Sequence, residues 1–197
     1  MAWPEPLTLN GDYCTLEPLS LDHHDALVEA VKDGELWNLW YAFIPKPDDM
    51  KKEIIRRLDL QAKGSMLPFT VINRKTQEVI GMTTYCHTDS TNKRIEVGWT
   101  WYARSYQRTA INTECKLMLL RHAFEKLNCI AVAFRVDFLN HQSRKAVERL
   151  GARLEGIIRN YSLLSNGNPR DMCFYSVLPH EWPNVKANLT WLLTKPR

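Results

Sequence analysis

The stretch Arg-Ile-Glu-Val-Gly-Trp-Thr-Trp-Tyr-Ala-Arg-Ser-Tyr-Gln-Arg-Thr-Ala-Ile-Asn-Thr-Glu, residues 94–114, joins a strand pattern to a helix pattern. Residues 94–101 predict a strand. Apolar residues at helical spacing then predict a helix over residues 113–127, and a second apolar run predicts a strand at 130–138. We therefore expect a strand–helix–strand unit whose two strands pair in parallel through a right-handed crossover.

The segments around this unit predict a mixed α/β layer fold. Before it, we expect a strand or hairpin at 7–19, helices beginning at Ser20 and Asp48, and antiparallel strands at 67–73 and 78–87. After it, we expect a helix at 142–150 ended by Gly151, strands at 156–164 and 171–178 around a hairpin loop at 165–170, and a final helix at 182–193. The expected fold class is α/β (α+β), with a mixed, mainly antiparallel central sheet flanked by helices.

Length and charge set limits on the class of protein. A chain of 197 residues suits one domain, and no linker marks a boundary, so we expect a single domain over residues 1–197. The net charge of +4 is spread along the chain without a like-charge block. A nucleic-acid partner is therefore not expected, because such proteins usually carry a clustered basic stripe. The small positive excess suits an anionic small ligand.

Cysteine usage and hydropathy indicate a cytoplasmic protein. The five cysteines are odd in number and match no zinc or C-x-x-C spacing, which favours reduced, buried thiols. The sequence shows no cluster of metal ligands, and no metal is expected. A secretory signal pattern and an apolar run of membrane-spanning length are also missing, so no membrane association is expected.

A polar turn leads into the long predicted helix and favours anion binding. The first amides of a helix have no intrahelical acceptor, and the helix dipole adds positive potential there. Arg104 and Arg108 add full charges, while Thr109 and Ala110 are small enough to let a phosphate approach the backbone. The segment therefore predicts a site for a diphosphate, with an ordinary loop and helix cap as the alternative.

A second polar segment follows the next predicted strand. Asn140 stands just after that strand and opens the short helix that Gly151 ends. Ligands of α/β proteins often bind at the carboxyl ends of strands, so Asn140 is a candidate ligand-binding residue. A helix or turn cap is the alternative role for Asn140.

In this order and spacing, the two segments resemble the GNAT acetyltransferase superfamily, and most closely its Rim-type branch of N-acetyltransferases of ribosomal-protein N-termini. The run 107–112, Gln-Arg-Thr-Ala-Ile-Asn, falls on the family's Gln/Arg-x-x-Gly-x-Gly/Ala loop, which binds the pyrophosphate of CoA. Asn140 and Ser143 match the Asn-x-x-Ser of its following helix, and residues 95–99 match its central strand.

The resemblance implies a GNAT fold with one parallel strand pair splayed at the acetyl-CoA site. It implies direct acetyl transfer from acetyl-CoA to a primary amine, without a metal. The residues that it assigns to acetyl-CoA binding are Val97, Trp99, Gln107, Arg108, Thr109, Ala110, Ile111, Asn112, Thr113 and Asn140.

Glu96 and Ser143 are the candidate catalytic residues. The amine must lose a proton before it attacks, and Glu96 on the central strand is the candidate base. Its alternative role is an ion pair with Arg94 or Arg135. Ser143 is the candidate group near the leaving sulfur, with helix capping as its alternative. Backbone N–H groups of residues 97–99 are the candidate oxyanion donors.

The acceptor amine is the least determined part of the reaction. The candidate acceptor-binding residues are aromatic, with core packing as the alternative for each: Trp37, Trp40, Tyr41 and Tyr85, together with Trp99 and Trp101. We expect a protein or peptide N-terminus as the acceptor. A small-molecule amine (an antimicrobial, an amino acid or a polyamine) and a non-catalytic CoA-binding protein are the alternatives. The expected oligomeric state is a monomer or a homodimer.

Overall fold

The computed structural model describes residues 3–164 and 166–195. The strands in these ranges are β1 (Leu9–Asn10), β2 (Cys14–Pro18), β3 (Met66–Asn73), β4 (Val79–Asp89), β5 (Arg94–Tyr102), β6 (Ala131–Asp137), β7 (Arg153–Leu163) and β8 (Pro169–Val177). The α-helices are α1 (His24–Lys32), α2 (Met50–Ala62), α3 (Ala110–Glu125), α4 (His141–Leu150) and α5 (Trp182–Thr194). The first residue of the loop predicted at 165–170 lies outside the described residues, as do both ends of the predicted domain 1–197.

The strands form one sheet in the order β1-β2-β3-β4-β5-β6-β8-β7. Every neighbouring pair is antiparallel except β5 and β6, which are parallel. The predicted mixed, mainly antiparallel sheet is therefore confirmed, together with its parallel strand pair.

The parallel pair separates after a short stretch of contact. Arg94, Ile95 and Glu96 of β5 pair with Ala131, Val132 and Ala133 of β6. Both strands then continue, to Tyr102 and to Asp137, without further pairing to each other in the described residues. The predicted splay is therefore present, and it leaves a gap between the carboxyl ends of two central strands.

The sheet buries a different core on each face. The Tyr85 hydroxyl donates to the Leu119 carbonyl, so this position of β4 faces α3. The preceding residue, Thr84, accepts from Arg57 of α2 and therefore faces the other side of the sheet, as alternation in a strand requires. The larger core lies under α3 and α5, while the smaller packs α1 and α2 against Met82 and Trp101.

The helix α3 begins at Ala110, before the predicted start at residue 113. Thr109 has an extended backbone, and its side chain accepts from the Ile111 N–H, so it is the N-cap. The apolar spacing used for the prediction becomes regular only later in the helix. The Ser20 cap is confirmed as a capping box with His23, but a 3-10 turn, Leu21–His23, precedes α1. A second 3-10 turn, Pro47–Asp49, precedes α2.

All five cysteines are buried and free, as expected of reduced thiols. In the described parts of the chain, we find no helix with both the length and the apolar character that a membrane span requires.

Glu114 of α3 fastens the helix to the hairpin at the edge of the sheet. Its buried carboxylate accepts hydrogen bonds from the backbone N–H groups of Asp12, Tyr13 and Cys14 at 2.7, 2.8 and 2.9 Å. Hydrogen bonds to an ionised carboxylate are among the stronger ones in proteins. The β1–β2 turn therefore depends on a helix side chain that is distant in sequence.

Replacing this carboxylate should destabilise the fold. We expect Glu114→Ala to lower the free energy of unfolding by about 3 kcal/mol, because buried N–H groups lose a charged acceptor. Denaturant unfolding measures the change. The control Glu29→Ala removes an exposed partner of Lys32 and should cost under about 0.5 kcal/mol. Equal stabilities of the two variants would contradict the assigned role of Glu114.

Candidate active site

Two helix N-termini flank the gap between β5 and β6. Because these strands are parallel, their carboxyl ends lie at the same edge of the sheet. The chain passes from the end of β5 through a short loop into α3, and from the end of β6 directly towards α4. The predicted binding segments therefore meet at one edge, beside the splay.

The first turn of α3 offers amides that have no acceptor within the helix backbone. Because the helix begins at Ala110, the N–H groups of Thr109, Ala110, Ile111 and Asn112 precede the first intrahelical hydrogen bond. The Ile111 N–H reaches the Thr109 hydroxyl only at 3.4 Å. Thr113 is buried inside the helix, so of the predicted binding residues 109–113 only the first four have an amide that precedes the first intrahelical hydrogen bond.

The loop before α3 sets the position of these amides. The Gln107 side-chain amide donates to the Tyr102 carbonyl at 3.0 Å, and the Thr109 hydroxyl donates to the Tyr106 carbonyl at 2.7 Å. Arg108 between them has a φ of 58° and an exposed side chain. Gln107 therefore supports the loop, while Arg108 is free to meet an anion.

Asn140 and Ser143 form the cap of α4. The Asn140 Oδ1 accepts from the Ser143 N–H at 3.0 Å, so Asn140 has the capping role that was its alternative. Ser143 is half-buried in the first turn. Its hydroxyl makes no hydrogen bond to any residue that the structure describes, and is available to a ligand at this edge.

A β-bulge lies on β5 where the strand leaves β6. Met82 of β4 pairs with Trp101, but Thr84 pairs with Gly98, so β5 carries one extra residue between these pairs. Trp99 in the bulge has a φ of 51°. A left-handed conformation is unfavourable for a tryptophan by roughly 1–2 kcal/mol, so other contacts must hold it.

Arg57 of α2 holds the bulge from one face of the sheet. Its guanidinium is fully buried and donates to the Trp99 carbonyl from both terminal nitrogens at 3.3 Å. It also donates to the Thr84 hydroxyl at 2.8 Å and to Glu53 at 2.7 Å. One side chain therefore ties the bulge, the neighbouring strand and a helix together.

Lys116 of α3 approaches the bulge from the opposite face. Its buried ammonium donates to the Thr100 hydroxyl at 2.9 Å and to the Thr83 hydroxyl at 3.4 Å. Burial lowers the pKa of Lys116 to about 8, although the neighbouring Cys115 and Cys86 oppose this shift. The bulge is therefore held between two buried basic side chains.

Glu96 lies just before the bulge, on the face that α2 covers. Its carboxylate is buried and forms an ion pair with Arg135, Nε to Oε2 at 2.5 Å. Burial raises the pKa of Glu96, and the attraction of Arg135 only partly offsets this. Glu96 thus makes the ion pair that was its alternative role, and its higher pKa also makes it a stronger base than an ordinary glutamate.

Two further side chains come close to Glu96. The Cys86 Sγ, a His87 ring nitrogen and a Glu96 carboxylate oxygen lie within 4.8 Å of one another. The sequence showed no such cluster, because these residues belong to two strands. Burial raises the pKa of the Cys86 thiol well above its usual range, which keeps it neutral. A neutral thiol and the Arg135 guanidinium both make this position unfavourable for a metal cation.

The predicted acceptor-binding aromatics separate into two groups. Tyr85 is fully buried and belongs to the core beneath α3, so it does not line a pocket. Trp101 is buried in the smaller core, against which Trp37 also packs. Trp40 is 53% exposed and packs edge-to-face on the half-buried Tyr41, with centroids 5.5 Å apart.

Three residues of this site were not identified from the sequence. The Phe43 ring lies 6.3 Å from the Trp99 ring, and the one sequence signal for Phe43 was its closeness to Trp37, Trp40 and Tyr41 along the chain. Arg57 stands one helical turn after Glu53, a spacing typical of an exposed ion pair. The only sequence signal for Lys116 is its position among apolar residues of α3.

Comparison with known proteins agrees with this geometry. The family model described as Acetyltransferase (GNAT) domain matches residues 14–153. A Bacillus subtilis (strain 168) protein, provisionally named ribosomal N-acetyltransferase YdaF, is 34% identical over 106 residues, which cover 54% of this chain and 57% of that protein. The Bacillus licheniformis protein named uncharacterized N-acetyltransferase p20 is 27% identical over 89% of this chain and 98% of its own length.

A solved structure extends the similarity to the whole fold. The GCN5-related N-acetyltransferase from Brucella melitensis is 30% identical and superposes with a TM-score of 0.86, covering 96% of this chain and 86% of that one. The family match spans more than half of the chain and includes the splayed strands, the bulge and both helix N-termini. The chain belongs to the GNAT acetyltransferase family and is an acyltransferase.

Proposed function

We propose that this protein transfers an acetyl group from acetyl-CoA directly to the amine of a protein or peptide N-terminus. The observation that carries the proposal is the shape of β5, which is bulged and has separated from β6. The first amides of α3 follow its carboxyl end, and the buried carboxylate of Glu96 lies on the sheet face that α2 covers. The relative named as a ribosomal N-acetyltransferase supports a polypeptide acceptor.

The donor half of the site fits the diphosphate of a CoA thioester. The amides of Thr109–Asn112 and the Arg108 guanidinium offer positive potential to an anion at the start of α3. The gap between β5 and β6 can admit an extended chain, because the backbone of β5 beyond Glu96 has no partner in β6. Acetyl-CoA, the acyl donor of this family, supplies an acetyl thioester at this position.

The bulge prepares β5 to stabilise negative charge. Backbone N–H groups of Val97 to Trp99 that face the gap are candidate donors to the carbonyl oxygen as charge develops on it. Arg57 and Lys116 keep this backbone in place from both faces. The donors therefore need no rearrangement during the reaction.

Glu96 is the proposed base, and Ser143 is the proposed hydrogen-bond donor to the leaving sulfur. An amine attacks only when neutral, and a carboxylate of raised pKa can accept its proton near neutral pH. Arg135 then remains beside the protonated carboxyl group and keeps it in position. The free hydroxyl of Ser143, at the start of α4, can donate a hydrogen bond to the departing sulfur.

A charge reversal at Arg108 should weaken donor binding selectively. We expect Arg108→Glu to raise the KM for acetyl-CoA about tenfold or more, since an attractive charge near the diphosphate becomes repulsive. The KM for the acceptor peptide should change far less. Arg121→Glu, exposed on the same helix, is the matched control. Equal changes in both KM values would count against the assigned loop.

Removing the carboxylate of Glu96 should change the pH dependence of the reaction. The folded-state pKa is raised, so activity of the unmodified protein should fall as acid protonates Glu96 through that pKa. We expect Glu96→Gln to lower kcat/KM about a hundredfold or more and to remove this acid limb. A pH–rate profile checks this, with thermal unfolding as the control for folding. An unaltered acid limb would exclude Glu96 as the base.

Loss of the Arg57 guanidinium should affect stability and turnover together. We expect Arg57→Met to lower the free energy of unfolding by about 3 kcal/mol, because Glu53 and the Trp99 carbonyl lose a buried cation. We also expect kcat to fall about tenfold, since the backbone donors are no longer fixed. Lys52→Met, exposed on the same helix, is the control. Lower stability with unchanged kcat would limit Arg57 to a structural role.

A further inference from the structure

Exposed aromatic rings and guanidinium groups alternate on the α2 face of the sheet beside Glu96. Phe43 and Trp99 are 47% and 38% exposed, with ring centroids 6.3 Å apart. The Arg56 guanidinium lies 4.7 Å from the centre of the Trp99 ring, and that of Arg170 lies 5.1 Å from the centre of the Phe43 ring. We call this set, completed by Arg135, the arginine–aromatic surface.

The pairing register of β6 and β8 places Arg135 on the same face as the rest of this surface. Arg135 pairs with Phe174 across β6 and β8, and its guanidinium lies 5.3 Å from the centre of that ring. Arg170 precedes Phe174 by an even number of positions on β8, so both side chains point to the same face. The proposed base Glu96 reaches this face through its ion pair with Arg135.

The charges on this surface do not balance. Arg56 and Arg57 both bind the single carboxylate of Glu53. Arg135 has Glu96 as its partner, and that carboxylate loses its charge when it accepts a proton. Arg170 donates to the Ser162 hydroxyl at 3.1 Å and has no carboxylate partner in the described residues.

Nearby acids offset this positive excess only in part. Asp171 forms an ion pair with Arg159, and its other oxygen accepts from the Asn160 N–H. Asp137 is buried and accepts from the Leu139 N–H. With the buried Arg57 included, four guanidinium groups thus accompany three carboxylates, those of Glu53, Glu96 and Asp137, and Arg170 is the one without a carboxylate partner in the described residues.

This imbalance determines which amines suit the site. A positive field repels a protonated amine and lowers its pKa, which favours the neutral form that attacks. The same field attracts a carboxylate, and a guanidinium stacked on a ring still offers its edge for a bidentate contact. An acceptor with acidic groups close to its amine would gain from both effects.

The extent of the exposed rings favours a peptide over a single amino acid. Tyr161 is also exposed, at 38%, and accepts from Arg135 at 2.6 Å. Exposed aromatic side chains therefore occur along this face from the segment before α2 to β7. Such a surface can contact several residues of an extended chain.

We propose that the acceptor is an acidic peptide N-terminus, whose carboxylates bind the arginine–aromatic surface, with Arg170 as a specificity-determining residue. The proposal rests on the proposed acetyl transfer at the β5 bulge, because it assigns the acceptor of that same site. It identifies the acceptor by its chemistry: a free α-amine followed closely by aspartate or glutamate.

The test compares two peptides with a free N-terminus and an amidated C-terminus, Ser-Asp-Glu-Phe-Ala-Ala and Ser-Asn-Gln-Phe-Ala-Ala. For the unmodified protein, we expect kcat/KM for the acidic peptide to exceed that for the neutral one about tenfold, and the ratio to fall as salt screens the charges. Arg170→Gln should bring this ratio close to one, mainly through the KM of the acidic peptide. Arg121→Gln, on the opposite side of the sheet, is the control and should preserve the ratio.

A ratio near one for the unmodified protein, or a ratio that Arg170→Gln leaves intact, would overturn the proposal. Acetylation of free glutamate but of neither peptide would overturn it as well, because the acceptor would then be a small molecule. Calorimetry that measures the Kd of each peptide in the presence of CoA tests carboxylate recognition independently of the proposed acetyl transfer. Preferential binding of the acidic peptide without transfer supports carboxylate recognition and contradicts acetyl transfer.

Discussion

The Arg57 guanidinium fixes the bulge of β5, beside the gap in the central sheet. A tryptophan with positive φ is unfavourable on its own, and a strand that leaves its parallel neighbour loses hydrogen bonds on that side. Arg57 compensates by donating to the Trp99 carbonyl while it bonds to Thr84 and Glu53. Arg57 thereby holds the stretch of β5 that no longer pairs with β6 and that follows Glu96 directly.

The sheet also separates the proposed donor site from the proposed acceptor site. Along β4 and β5, the Tyr85 and Thr100 side chains point to the α3 face, where Thr100 meets Lys116, and the Glu96 carboxylate points to the α2 face. The donor is thus expected along the helix N-termini, and the acceptor among the arginines and exposed rings. The gap beside the bulge connects the two faces, because β5 and β6 have separated there while β4 and β5 stay paired.

Local patterns predicted the elements well because they depend on neighbouring residues. The strand–helix–strand unit around residues 94–138, the Ser20 cap and the Gly151 helix end are all of this kind. Tertiary contacts were harder to infer. Tyr85 was expected at a pocket but fills the core, since the face it points to depends on which helix covers that face. The burial of Arg57 depends on a carbonyl distant in sequence, so its spacing from Glu53 indicated only a surface pair.

The carboxylate of Glu114 has a consequence for dynamics. It sits one turn beyond the first residue of α3 and holds three amides of the turn between β1 and β2, at the outer edge of the sheet. Fraying of the helix start would release those amides, and a ligand that orders the helix start suppresses such fraying. Slow exchange of the Tyr13 amide hydrogen with solvent thus reports, from a distant position, how firmly the beginning of α3 is held.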